Sequence, residues 1–330
     1  MARKQLFLIF LLLITASVMG QKKVPVSVIF DSDIGPDYDD VGAITILYVL
    51  ADRGQANILA TVASNKYEGI AAVLDVFNTY FKRPDIPIGV PKGKAVDLKD
   101  PQHWSDSILA KYPHSIKYNS QVPDAVEVYR KALSSQPDHS VTIVTVGFFT
   151  NLANLLKSNS DQFSKLSGKE LIKRKVKLLV SMGGWFPAGT EFNISKDAMS
   201  SVEALVQWPT EVIFSGFEIG RDIKTGLPLI HNENLQNSPV KDVFRIAIPQ
   251  NVQDSAGRMS WDETAVLVAV EGISPFFSLC PGKIQLKADG SNTWKKGNFG
   301  QFYLIQKGNP HKVANLINHL MMEQPKRKGD

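Results

Sequence analysis

Short β-branched runs alternate with longer amphipathic stretches from Val24 onward, and this alternation constrains the fold more than any other feature. Val26 to Phe30 precedes Val41 to Ala51, and Ile58 to Ala63 precedes Gly69 to Phe81. Val141 to Val146 then leads into Asn151 to Leu156, Val176 to Ser181 into a helical run from Ala198 to Gln207, and Val212 to Ser215 follows. The short runs are largely apolar throughout, the mark of strands buried on both faces. Separated by helices, such strands predict an α/β class: a mostly parallel open sheet with helices on both faces. No internal repeat or linker divides residues 21–330, so a single domain is expected. Ligands of such sheets sit beyond the carboxyl ends of the strands, so the turns there are where chemistry is expected.

Residues 1–20 stand outside the pattern. Arg3 and Lys4 precede an apolar run from Leu6 to Ile14, and small residues follow as far as Gly20, as in a secretory signal peptide cleaved near Gly20. Export to the periplasm or the medium is therefore expected. No later stretch approaches the ~20 apolar residues of a membrane-spanning helix. Loss of the leader takes 2 of the 37 basic residues and leaves 35 against 32 acidic ones, so the formal charge falls from +5 to +3. So even a balance argues against a nucleic-acid partner. The Lys326-Arg327-Lys328 tail reads as a solvated terminus. Cys280 is the single cysteine and follows the apolar Phe276 to Leu279, which predicts a buried thiol rather than a reactive one. The segment from Pro91 to Pro123 lacks periodicity and is a candidate loop or lid over the site.

The first strand runs into Asp31-Ser32-Asp33-Ile34-Gly35-Pro36-Asp37-Tyr38-Asp39-Asp40, which gathers 5 carboxylates. Like charges at that density repel unless a cation neutralises them. Oxygen-only donors favour a hard ion, Ca²⁺ or Mg²⁺, and the lack of a His or Cys cluster argues against zinc. Helix capping accounts for one aspartate at the start of the Val41 helix, not for the set. An EF-hand loop begun at Asp31 requires Gly at its sixth position and Glu at its twelfth, where the sequence has Pro36 and Gly42. A haloacid-dehalogenase-like phosphatase also begins with a strand and Asp-x-Asp, with the first aspartate as nucleophile, but its later lysine and acidic motif find no counterpart.

The turn resembles the hallmark of the inosine-uridine type of nucleoside hydrolase, Asp-x-Asp-Pro-Gly-x-Asp-Asp, in a form two residues longer between Asp33 and the final pair. Further matches follow in order. Ser64-Asn65 is similar to the family's Gly-Asn turn after the second strand, and Gly147-Phe148-Phe149-Thr150-Asn151-Leu152 to its Gly-Pro-Leu-Thr-Asn-Leu segment. Met182-Gly183-Gly184 with Glu191-Phe192-Asn193 resembles the Met-Gly-Gly to Glu-Phe-Asn block, and Asp262 matches the aspartate of a late His-Asp pair. The resemblance covers about Val26 to Val270 and implies a Rossmann-like nucleoside hydrolase fold. It also implies that Asp33, Asp40, Asp262 and the Thr150 main-chain carbonyl hold Ca²⁺, with Asp33 as general base toward the attacking water. Asp39 would bind the ribose hydroxyls, Glu191 and Asn193 its far side, and Asn65 would approach the ribose or metal shell. Asp37 lies in the extension and has no family counterpart.

Local readings of these residues also exist. Asn193-Ile194-Ser195 is formally a glycosylation sequon, Thr150 suits a helix cap, and Ser260 with Glu263 forms a capping-box pattern ahead of the Thr264 to Val270 helix. The sequence departs from the family where the leaving base is handled. Trp261 replaces the late His, and Trp185 replaces an Asn before the Glu-Phe-Asn block; an indole stacks on a base but cannot protonate it. His103, beside Trp104, is the candidate replacement acid. The expected function is calcium-dependent hydrolysis of the N-glycosidic bond of a small nucleoside or riboside. The alternative is a calcium-dependent riboside-binding protein, or a hydrolase of another ribosyl-like substrate with a rebuilt base pocket. Family members are commonly dimers or tetramers, which makes a homo-oligomer an expectation.

Overall fold

The computed structural model describes residues 24–325, so the leader and the basic tail lie outside the described residues. Strands β1 (Val26–Ser32), β2 (Ala56–Ala63), β3 (Ile88–Gly89), β4 (Val141–Thr145) and β5 (Val176–Met182) come first. After them run β6 (Ala188–Thr190), β7 (Glu211–Ser215), β8 (Lys224–Thr225), β9 (Arg258–Met259), β10 (Phe277–Leu286), β11 (Ser291–Lys296) and β12 (Gln301–Gln306). Ten of these form one sheet in the order β3-β2-β1-β4-β5-β7-β12-β10-β11-β6, and β8 pairs with β9 apart from it. The portion from β3 to β12 is parallel; β10, β11 and β6 continue it antiparallel.

β1 shows why the sheet is a central layer. Val28 and Phe30 face one apolar cluster and Ile29 the other, and all three are fully buried. Two helices on the first face are themselves buried nearly all round. Asp39–Asp52 packs against Trp261–Glu271, and both present apolar residues on every side. Each fully buried Ile or Leu contributes roughly 1.5–3 kcal/mol.

The mostly parallel sheet with helices on both faces is as the sequence predicted. The antiparallel wing was not foreseen, because β10 and β11 carry Lys283, Lys295 and Lys296 among their apolar residues and show no continuous hydrophobic run. Pro91 to Pro123 is not a free-standing lid. Trp104 opens a helix, Trp104–Lys111, and is fully buried, Asn119 donates to the Lys66 and Tyr67 carbonyls, and Val96 bridges to Asn65. Cys280 is half-buried on β10. No helix among the described residues is long and apolar enough to cross a membrane.

Candidate active site

The chain proceeds from β1 to β2 and β3 on one side of the sheet and through β4, β5 and β7 on the other, so strand order reverses between β1 and β4. A crevice opens at such a reversal, at the carboxyl ends of the two strands. The aspartate turn leaves β1 there. A cleft of about 220 Å³ lies at this point, the size for a small molecule, lined by Asp33, Asp37, Asp39, Glu191, Asn193, Asp262 and Arg258, with Val146, Met182, Phe192, Phe217, Met259 and Trp261 as apolar walls.

Asp33 is buried, and its Oδ2 has no hydrogen-bond partner. Burial, and then the charges of Asp40, Asp37 and Asp39, push its carboxyl well above the ordinary range. Asp40 accepts from Ser32 Oγ at 2.6 Å through Oδ1, while its Oδ2 is buried and unpartnered. Burial, then Asp39, raises it well above its usual range too. Asp262, at the start of its helix, is raised well above its range by burial and by Asp39, Asp40, Glu263 and Asp33. Three buried carboxylates, each raised by burial and by neighbouring acids, two of them with an orphaned oxygen, offer the donor chemistry that suits a hard cation. Among the described residues no three acidic, His or Cys side chains already converge at coordinating distance, so donor chemistry rather than a preformed cage identifies the group that fits.

Asp39 is occupied by the protein itself. Its Oδ1 accepts from Arg258 Nε at 3.1 Å and Nη2 at 2.7 Å, and its Oδ2 from the Trp261 and Asp262 backbone at 3.2 and 3.4 Å. Asp39 thereby caps the helix Trp261–Glu271 from another segment. The Ser260–Glu263 capping box does not form: Ser260 Oγ pairs with Thr225 Oγ1 at 2.6 Å, and both Glu263 carboxylate oxygens are buried without a partner. Nor does Thr150 cap its own helix, Thr150–Lys157; its hydroxyl donates to Asp197 Oδ2 at 2.7 Å. Thr150 does not line the cleft. Its segment nevertheless presses on the site, because a Cβ at Gly147 would sit 2.8 Å from the Asp33 Cβ.

Glu191 and Asn193 do meet in the cleft. Glu191 caps the helix Phe192–Lys196, accepting from Asn193 N at 2.7 Å, Ile194 N at 3.1 Å and Gly184 N at 3.3 Å; burial outweighs these bonds and pushes its carboxyl up to about 7. Asn193 donates to the Val146 carbonyl at 2.9 Å and is buried, which rules out the sequon reading. Asn65 stands behind the cleft: its Nδ2 donates to the Asp33 and Leu98 carbonyls and its Oδ1 accepts from Leu98 N, so it supports the turn without lining the cavity. Asp31 points away, to Tyr129 OH at 2.7 Å and Asn151 Nδ2 at 3.1 Å, and burial lifts it to about 7. A phosphatase nucleophile at Asp31 is therefore excluded by position.

Trp261 is in the cleft wall and Trp185 is one ring removed. Trp185 packs on Phe217 at 4.5 Å, Phe217 stacks on Trp261 at 5.2 Å, and Trp261 Nε1 donates to the Phe217 carbonyl at 2.8 Å. His103 does not reach the site. Its side chain is 76% exposed beside Asp106, and the replacement-acid reading is lost with it. Sequence reasoning missed Arg258 altogether. It is buried, pairs with Asp37 and Asp39, and lies over the Tyr38 and Trp261 rings at 4.7 and 5.1 Å. The only signal for it was an arginine four residues before Asp262.

The model of the inosine-uridine preferring nucleoside hydrolase family matches residues 28–318. The chain belongs to that family. Metal dependence is general among nucleoside hydrolases of this family, and the carboxylate set described here fits it. A pyrimidine-specific ribonucleoside hydrolase from Salmonella schwarzengrund is 29% identical over 195 residues, a stretch of 57% of this chain and 59% of that relative. Solved structures share the fold. A purine-preferring ribonucleoside hydrolase from Gardnerella vaginalis superposes with a TM-score of 0.69 at 15% identity, covering 89% of this chain and 98% of that one. A plant nucleoside hydrolase gives 0.67 at 17% identity, over 90% and 99%.

Proposed function

We propose that this chain hydrolyses the N-glycosidic bond of a ribonucleoside or related riboside, in dependence on a bound Ca²⁺. The observation behind this reading is the pair of buried, unpartnered oxygens on Asp33, which lines the cleft with Asp262, Glu191, Asn193 and Trp261, and on Asp40, which does not line it but whose charge acts on both Asp33 and Asp262. Asp33, Asp40 and Asp262 would hold the ion, with the Thr150 carbonyl as the ligand that the family likeness adds. When bound, it neutralises these carboxylates, fixes the sugar diol and makes a water more acidic.

Asp33, which lines the cleft and has an unpartnered Oδ2, would take a proton from the attacking water. The surrounding carboxylates favour the positive charge that develops on the sugar in an oxocarbenium-like transition state. Asn193 and Glu191 hold the sugar, and the apolar walls keep bulk water from the reacting carbon. Trp261 stacks on the departing base. Its Nε1 proton is already given to the Phe217 carbonyl, and Arg258 does not release a proton at neutral pH, so neither of these two neighbours is a ready acid for the base. Ribosides that leave readily without protonation should therefore be the better substrates.

Purified protein incubated with purine, pyrimidine and nicotinamide ribosides and with 4-nitrophenyl riboside, with and without a chelator, tests the proposal. Metal-dependent release of free sugar supports it, fastest from the nitrophenyl compound. Tight binding without turnover would instead favour a riboside-binding protein, the reading that the missing acid supports. The leader supports a second proposal, export, which fractionation of cells expressing the full chain tests: a shortened chain outside the cytoplasm is expected, and a full-length cytoplasmic chain contradicts it.

A further inference from the structure

The two-residue extension of the aspartate turn has a structural partner, and the partner is Arg258. Three consecutive residues of the turn grip this one side chain. Asp37 and Asp39 both accept from Nη2, Asp39 also accepts from Nε, and the guanidinium lies over the Tyr38 ring at 4.7 Å and the Trp261 ring at 5.1 Å. Asp254, which accepts from Tyr38 OH at 2.6 Å, stands 3.8 Å from Nη1. Arg258 begins the segment that ends in Asp262, and every hydrogen bond that Asp39 accepts comes from this segment, from Arg258, Trp261 or Asp262.

We propose that Asp37, Asp39 and Arg258 form a clamp that fixes the aspartate turn against the start of the helix Trp261–Glu271, and so sets how far Asp262 stands from Asp33 and Asp40. Arg258 and Asp37 are positioning residues. They act on the cation through the carboxylates they hold in place, and Asp39, each of whose oxygens already accepts two hydrogen bonds from the segment Arg258 to Asp262, is the carboxylate through which the clamp closes. A guanidinium suits this task because its planar fork bonds two carboxylates in fixed directions, which an ammonium does not reproduce. The inference rests on the cation reading proposed above.

The sign of one effect separates positioning from simple charge balance. Arg258 is a positive charge beside a cation site, so on electrostatics alone its removal tightens cation binding. A clamp predicts the reverse. Calorimetric titration of Ca²⁺ into the full chain should show Arg258→Gln and Arg258→Lys each weakening binding by about tenfold or more, the lysine variant despite its retained charge. Tighter binding in Arg258→Gln, or parental binding in Arg258→Lys, overturns the clamp. Because a buried arginine variant can fail to fold, Asp37→Asn provides a milder probe: the Asp37 side chain is 37% exposed at the rim. It should weaken binding in the parent and have no further effect in the Arg258→Lys background. Equal effects in both backgrounds overturn the clamp. If the unaltered protein binds no Ca²⁺, the cation reading itself fails and the clamp falls with it; binding that none of the variants alters removes the clamp alone.

Discussion

Gly147 links the motif after β4 to Asp33, the proposed general base, and its replacement by alanine separates packing from chemistry. A Cβ there would lie 2.8 Å from the Asp33 Cβ, and closer still to Asp33 N and Ser64 Oγ. Carbon contacts settle at about 3.5–4.0 Å, so Asp33 has to retreat by roughly 1 Å. Two of the obstructing atoms belong to a buried turn, where no flexible side-chain end can swing aside. Overpacking of this kind costs about 1–3 kcal/mol of stability. A misplacement of about 1 Å at a catalytic group costs on the order of 10²-fold in rate, which corresponds to about 2.7 kcal/mol of barrier. The assay is kcat/KM for sugar release together with thermal melting, with Gly93→Ala as the control, because a Cβ at Gly93 meets nothing within 4 Å. Gly147→Ala should lose about 10²-fold in kcat/KM and melt several degrees lower, with Gly93→Ala at parental values. Parental kcat/KM in a folded Gly147→Ala protein refutes the coupling between this loop and Asp33.

Trp261→Ala should raise KM for a purine riboside by roughly tenfold, as expected for loss of one stacked base, while Trp261→Phe retains most of the affinity; equal KM in all three proteins removes Trp261 from the base site. Asp33→Asn should abolish turnover, whereas Asp31→Asn, whose side chain faces Tyr129 and Asn151, should retain it; steady-state kinetics on both variants checks the distinction. Burial raises the Glu218 carboxyl to about 7, against an opposing backbone bond from Phe186, so between its ordinary value and about 7 the folded state holds a proton that the unfolded state releases. Stability therefore falls as pH rises through that window and levels off above it. Glu218→Gln removes this loss, so its melting temperature relative to the parent should rise from pH 5 to pH 8; a constant difference contradicts the sign.

β1, β2, β4, β5 and β7 were legible because each is buried on both faces and so reads as an apolar run, and their turns marked the site. The antiparallel wing was not legible, since its strands interleave lysines with apolar residues and its pairing depends on partners far away in sequence. Among site residues, Asp33, Glu191, Asn193, Trp261 and Asp262 meet in one cleft. What the motif could not convey is which hydrogen bonds each side chain has already made. The motif does not reveal that Arg258 holds Asp39, and Ser260 and Glu263 read as a capping box until Thr225 and the packing against Gly42 take them elsewhere. A Cβ at Gly42 would fall 2.8 Å from the Glu263 Cδ, so this buried acid requires a glycine on the facing helix. Long-range partners of this kind carry no local signature. His103 failed for the opposite reason: its neighbour Trp104 turns into the core and leaves the imidazole in solvent.

The central claim is that Asp33, Asp40 and Asp262 hold a cation at which a riboside is cleaved. It is tested most directly by sugar release from inosine and uridine as free Ca²⁺ is raised from a chelator-buffered baseline, in the parent and in Asp262→Asn. A saturable rise in the parent that shifts to higher Ca²⁺ or disappears in Asp262→Asn is expected. Sugar release that ignores Ca²⁺, or that is unchanged in Asp262→Asn, contradicts it.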